Sequence, residues 1–179
     1  MLNLNFIPFP VLETERFVLR ALRPEDDREI FILRTDKAIN EFIDRQPPAS
    51  IEETRAFINT IHENILKEEA ILWAISFKGQ ETLAGTICLW KIDIPGAKAE
   101  LGYELLPQYH GKGIMQEVIP AVLKFGFERI GLQLIEAELD KRNIKSLKLL
   151  QRNGFVLTEH SGNENFSPMV LYSLKKHSA

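Results

Sequence analysis

The sequence is poor in several things at once. It has one cysteine, Cys88, among 179 residues. No intramolecular disulfide can form, and a cysteine-rich zinc site is excluded. That usage suits a reducing compartment, so a cytoplasmic location is the expectation. Long apolar runs are missing too. None approaches the ~18–20 residues that span a bilayer, so no membrane partner is expected. The apolar opening, Met1 to Val11, lacks a basic region and a small-residue cleavage site, and does not read as a signal peptide. Excess charge is also lacking: 22 Lys+Arg stand against 25 Asp+Glu, a net charge of −3. Such a chain has no global pull on nucleic acid, and none is expected as a partner. The 4 histidines (His62, His110, His160 and His177) have no metal-ligand spacing, so no metal is expected. No repeat, low-complexity segment or Pro/Gly/Ser-rich linker divides the chain.

What is present suits a globular domain with a full core: 45% hydrophobic and 26% charged residues. Phe17-Val-Leu-Arg20 reads as a short strand. Pro24, with Glu25, Asp26 and Asp27 behind it, reads as a helix start with Ile30, Phe31 and Leu33 on the buried face. Ser50-Ile-Glu-Glu53 is a capping box, and Phe57, Ile58, Ile61 and Ile65 continue at helical spacing to about Glu68. Ile71–Phe77 and Thr82–Trp90 form a hairpin about the turn 78–81, and Ala97–Leu106 follows as a third strand. A helix from Ile114 buries Met115, Val118, Ile119, Val122 and Phe125, and Pro120 is expected to kink it. Leu132–Leu139 is a strand, Ile144 to Asn153 a helix closed by Gly154, and Phe155–Thr158 and Met169–Leu174 are closing strands. The order β-α-α-β-β-β-α-β-α-β-β predicts a mixed α/β fold around a central sheet.

One segment carries chemistry: Ala99-Glu-Leu-Gly-Tyr-Glu-Leu-Leu-Pro-Gln-Tyr-His-Gly-Lys-Gly-Ile-Met115. It reads as strand, glycine-containing turn, helix. Gly111 and Gly113 can take positive φ and admit a ligand to the backbone. Successive amides at the helix start, with its dipole, favour phosphate, and Lys112 adds charge. The dinucleotide fingerprint fails because Gln116 stands where the third glycine belongs, and no Walker string exists. An ordinary glycine turn is the competing reading.

Gln108-x-x-Gly111-x-Gly113 resembles the acetyl-CoA pyrophosphate motif of the GNAT N-acetyltransferases. The wider stretch is similar to the RimJ/RimL-type branch, which acetylates protein N-termini. Two further blocks agree: Leu12-Glu-Thr-Glu-Arg-Phe-Val-Leu-Arg-Ala-Leu22, similar to the first strand, and Ile135-Glu-Ala-Glu-Leu-Asp-Lys-Arg-Asn-Ile-Lys-Ser146 followed by Leu149-Leu-Gln-Arg-Asn-Gly-Phe155. The resemblance runs from Val11 to about Leu174. It implies a single GNAT domain over 11–176, with a splayed strand pair in the sheet.

The resemblance also implies roles. The turn Gln108, Tyr109, His110, Gly111, Lys112, Gly113, opening into Ile114 and Met115, would hold the pyrophosphate through its amides. Glu104, Leu105 and Leu106 would bind the pantetheine arm by main-chain bonds, the amide near Leu106 polarising the thioester carbonyl. Asn143 matches a pantetheine-contacting asparagine. Many members protonate the leaving thiolate with a tyrosine. That position here is Leu150, so Ser146 of Asn143-x-x-Ser146 takes the role. Glu138 ranks first as general base, then Glu104, with Glu100 a competitor and water involved. Strand alternation puts Glu100 and Glu104 on one face, and Glu136 and Glu138 likewise.

The activity so implied is direct acetyl transfer from acetyl-CoA to a primary amine, a protein N-terminus or a small molecule, by a monomer or homodimer. Cys88, in an apolar strand without a nearby base, reads as structural rather than acyl-carrying. Trp73 and Trp90 are expected in the core or lining the acceptor cleft, and Tyr103 flanking the cofactor arm or packing in the core. Residues 161–168 read as a loop bordering the acceptor site. The rivals are a non-catalytic acyl-CoA-binding module of the same fold, and an unrelated phosphate-binding domain.

Overall fold

The computed structural model describes residues 1–160 and 168–176. Eight strands form one sheet in the order β1-β2-β3-β4-β5-β6-β8-β7. They are β1 (Leu12–Glu13), β2 (Phe17–Arg20), β3 (Ile71–Phe77), β4 (Leu83–Asp93), β5 (Lys98–Leu105), β6 (Leu134–Asp140), β7 (Val156–His160) and β8 (Met169–Lys175). The helices are α1 (Asp27–Thr35), α2 (Ile51–Leu66), α3 (Ile114–Lys124) and α4 (Ile144–Arg152). Every neighbouring pair is antiparallel except β5 with β6. That parallel ladder covers only Lys98–Glu100 against Leu134–Glu136. Beyond it β5 and β6 separate, and α3 is the crossover between them.

Period-two alternation supplies both faces of the sheet with apolar residues. On one face Trp73, Ile75, Ile87, Leu89, Leu101 and Ile135 pack with Val118, Ile119 and Val122 of α3 and Leu150 of α4. On the other, Ala74, Leu83 and Leu106 pack with Ile30 and Leu33 of α1 and Ile58 of α2. Each fully buried Ile or Leu of these layers contributes roughly 1.5–3 kcal/mol. Half of the expected capping box starts α2: Ser50 Oγ accepts from the Glu53 amide at 3.3 Å, while the Glu53 carboxylate accepts from the Ala49 amide at 2.9 Å rather than from Ser50.

Several expectations are adjusted. Pro24 opens a 3₁₀ turn, Pro24–Asp26, and α1 proper begins at Asp27. The Asp26 carboxylate holds that turn, accepting from the Arg23 amide at 2.7 Å and from both terminal nitrogens of Arg20. Ile30 and Leu33 are buried, whereas Phe31 is half-buried. The two-residue β1, paired with Val18 and Leu19, had no signal of its own. Pro120 lies exposed, and α3 continues past it to Lys124 before a π turn, Phe125–Ile130. Proline has no amide to offer the Gln116 carbonyl one turn back, and Gln116 is itself exposed. The anticipated loop 161–168 lies, except for Pro168, outside the described residues. Among those residues no helix is long and apolar enough to cross a membrane.

Candidate active site

Where β5 leaves β6, two cavities open toward the gap. One, of about 900 Å³, runs from the turn after β5 to α4; Tyr109, Gly111, Lys112, Ile114, Lys148 and Arg152 are among its walls. The other, of about 640 Å³, lies on the α1/α2 face, with Arg45, Cys88, Trp90, Glu100 and Glu138 in its lining. Phe42, Ile43, Tyr103, Glu104, Asn143 and Ser146 line both. A ligand in each cavity would meet its neighbour at those six residues.

The turn was expected to present amides from Gln108 onward, and the structure narrows that set. Pro107–Tyr109 is a 3₁₀ turn in which the Tyr109 amide donates to the Leu106 carbonyl and the His110 amide to Pro107. The groups left to a ligand are the amides of Gln108 and of Gly111 to Gln116, which have no acceptor among the described residues; the first amides of a helix lack an intrahelical partner. Gly111 and Gly113 sit at φ 73° and 70°, in the left-handed region that brings these amides round. The exposed His110 ring nitrogen Nε2 lies 2.9 Å from the Leu105 carbonyl oxygen.

The Leu106 oxyanion donor is corrected. Its amide donates to the Ala84 carbonyl at 3.0 Å, because the β4 ladder continues past the end of β5. In an antiparallel pair, alternate residues turn their backbone groups toward the partner. With Ala84 paired to Leu106, and Thr86 to Glu104, it is Tyr103 and Leu105 whose amides face the gap.

The side chains at the seam are tightly arranged. Ser146 Oγ lies 2.5 Å from the Tyr103 phenol oxygen. Burial pushes the Tyr103 phenol up to about 12, so it stays protonated at neutral pH; the Ser146 hydrogen bond opposes that weakly. Asn143 caps α4, its Oδ1 accepting from the Ser146 amide at 3.1 Å. Leu150, one turn further on, is buried.

The carboxylates separate by partner. Glu104 receives a two-pronged ion pair from Arg45, at 2.5 and 2.9 Å. Arg45 also donates to Asn40 Oδ1 and the Leu33 carbonyl, tying residues 36–50 to β5. Glu100 accepts from Lys91 at 2.7 Å. Burial pushes the Glu100 carboxyl above its usual range, Lys91 opposes this, and the charges of Glu138 and Glu136 add to the rise. Glu138 is exposed on the cleft side of β6 and has no hydrogen-bond or ion-pair partner among the described residues. Burial, with Glu104 nearby, pushes the Cys88 thiol up to about 12. Trp73 is core, whereas Trp90 lines the smaller cavity. The partnerships Tyr103–Ser146 and Arg45–Glu104 escape sequence reading because their members lie 43 and 59 residues apart.

A fold of this topology, with paired cavities at a parting of two parallel strands, suits a protein that brings two substrates end to end. Comparison with known proteins agrees. Residues 16–156 match the family model described as an acetyltransferase (GNAT) domain. The chain is 31% identical over 147 residues, 82% of its length and 83% of the relative's, to the uncharacterized N-acetyltransferase YoaA of Bacillus subtilis. It is 28% identical over 152 residues, 84% and 85% of the two chains, to spermidine N(1)-acetyltransferase of Vibrio cholerae. The structure of RimL, the ribosomal L7/L12 alpha-N-protein acetyltransferase, in complex with coenzyme A superposes with a TM-score of 0.81 at 20% identity, covering 93% of this chain and 98% of that one. The chain belongs to the GNAT family and is an N-acetyltransferase.

Proposed function

We propose that the protein transfers the acetyl group of acetyl-CoA to a primary amine by direct transfer in a ternary complex, within one domain over 11–176. The observation that carries this reading is the meeting of two cavities at Tyr103 and Ser146. The larger cavity fits the cosubstrate. The amides from Gly111 to Gln116, without acceptors among the described residues, suit its pyrophosphate together with Lys112, and the outward amides of Tyr103 and Leu105 suit an extended pantetheine arm. Acetyl-CoA supplies an activated acyl group as a thioester. The Leu105 amide is the donor best directed at a carbonyl in the gap.

The chain's own residues then handle protons. An α-amino group has a pKa of about 7.7–8 and a lysine-type amine about 10.4, so the acceptor must lose a proton before it can attack. Glu138, with no partner on its carboxylate among the described residues, takes that proton through water; Glu104, engaged at both oxygens by Arg45, is second and orients the cleft. Ser146 Oγ delivers a proton to the departing thiolate as it takes one from the Tyr103 phenol beside it, and the phenol regains its proton from solvent as the thiol leaves. Cys88, held as a neutral thiol, is unsuited to carrying the acyl group. The carboxylates of the smaller cavity favour a cationic acceptor, whether a small amine or a protein N-terminus.

The test is thiol release from acetyl-CoA against a panel of amines. Release that depends on the amine is expected. Binding of acetyl-CoA without turnover on any amine would overturn the reading.

A further inference from the structure

The junction of β4 and β5 breaks strand geometry at one residue. Trp90 and Glu100 are direct cross-strand partners, and both line the smaller cavity. Alternation should send the next residue, Lys91, to the opposite face of the sheet. Instead Lys91 has φ 48°, a left-handed conformation that a lysine adopts only with strain, and the ladder shifts register between Trp90 and Asp93. The departure folds the lysine back over its neighbour. Its ammonium lies 4.3 Å from the centroid of the Trp90 ring and 2.7 Å from Glu100 Oε2. An aromatic face with a carboxylate beside it is the chemistry that recognises an alkylammonium ion. Glu100 is only 16% exposed at its side chain, whereas Lys91 is 51% exposed and sits on a flexible stem. The receptor groups are therefore set in the sheet, and their occupant is the part able to leave. Backbone strain of this kind collects at ligand sites.

We propose that the Trp90 ring and the Glu100 carboxylate form a seat for a second ammonium group of the acceptor, filled by Lys91 in the free protein and vacated on binding. This rests on the amine-acceptor reading above and narrows it. The preferred acceptor carries two amino groups on one chain, one at the Tyr103–Ser146 seam and one in the seat. Glu138, whose charge is felt at Glu100, adds to the attraction from β6.

The experiment compares α,ω-diamines with n-alkylamines of equal length, reading the ratio of their kcat/KM values. Lys91→Gly removes the competing ammonium while allowing the left-handed backbone, and raises the ratio about fivefold. Glu100→Gln and Trp90→Leu each lower it about fivefold, the two variants guarding against misfolding of either. A ratio unmoved by all three variants, or lowered in Lys91→Gly, overturns the seat. If the parent protein acetylates no amine, the proposed function fails but the seat is still tested by calorimetric titration with the diamines. Binding that is tighter in Lys91→Gly and weaker in Glu100→Gln upholds it, and absence of binding overturns it.

Discussion

Replacing Arg45 with methionine tests how the loop between α1 and α2 is held. The guanidinium makes four hydrogen bonds: to Asn40 Oδ1 at 2.6 Å, the Leu33 carbonyl at 2.9 Å, and the Glu104 oxygens at 2.5 and 2.9 Å. The side chains of Arg45 and Glu104 are 14% and 19% exposed, so solvent screens them little. Breaking a fully buried pair costs about 3–5 kcal/mol, and an exposed one about 0–1 kcal/mol. This pair lies nearer the buried limit, and Arg45→Met should lose about 2–3 kcal/mol. For a domain of this length that is a fall in Tm of about 5–10 °C. Urea unfolding of Arg45→Met, Glu104→Gln and the double variant completes a cycle. The double variant leaves no unpaired charge behind, so the cycle should show a coupling of about 1–2 kcal/mol. The loop residues Phe42 and Ile43 line both cavities, so KM for acetyl-CoA should rise as well. A stability loss below about 0.5 kcal/mol, or strict additivity, would refute the reasoning.

Two further outcomes are expected. Ser146→Ala and Tyr103→Phe should each lower kcat by about a hundredfold while changing acetyl-CoA affinity far less, and the double variant should be little worse than either, because one proton path is broken once; unchanged single-variant kinetics would remove both residues from the chemistry. Glu117 of α3 accepts from Thr14 Oγ1 at 2.6 Å and from the Arg16 amide and Nε at 2.8 and 2.6 Å. Burial raises its carboxyl, but these bonds and the Arg16 charge outweigh it and hold it below the usual range. Its contribution is then present above the unfolded carboxylate pKa of about 4.3 and lost as pH falls through the folded value. Urea midpoints of parent and Glu117→Gln should therefore differ at neutral pH and converge in acid, and a gap constant across pH would contradict the assignment.

Much of the fold was legible because its signals are local. The Ser50–Glu53 cap, the 57–58–61–65 spacing and the breaker at Gly154, whose φ is 85°, all report on neighbours a few residues away. The glycine turn after β5 was legible for the same reason, since Gly111 and Gly113 advertise their own conformation. What could not be read depends on register. Whether the Leu106 amide faces β4 or the gap is decided by its pairing with Ala84, a partner 22 residues away whose alignment no local pattern reveals. The Tyr103 phenol reads equally well as core or as a cofactor neighbour until α4 brings Ser146 to it. Lys91 carries no local signal, and only the register shift between Trp90 and Asp93 brings its exposed ammonium over Trp90.

The parting of β5 from β6 has a consequence for how the molecule is completed. A sheet interior normally leaves no backbone group unanswered. Here the ladder stops at Glu100 and Glu136, and the rungs above it are missing while strands continue on both sides. An extended thioester arm bonded to Tyr103 and Leu105 would stand in for an absent strand. In that sense the substrate finishes the architecture that the chain leaves open, and its arrival draws on the same free energy that holds the fold together.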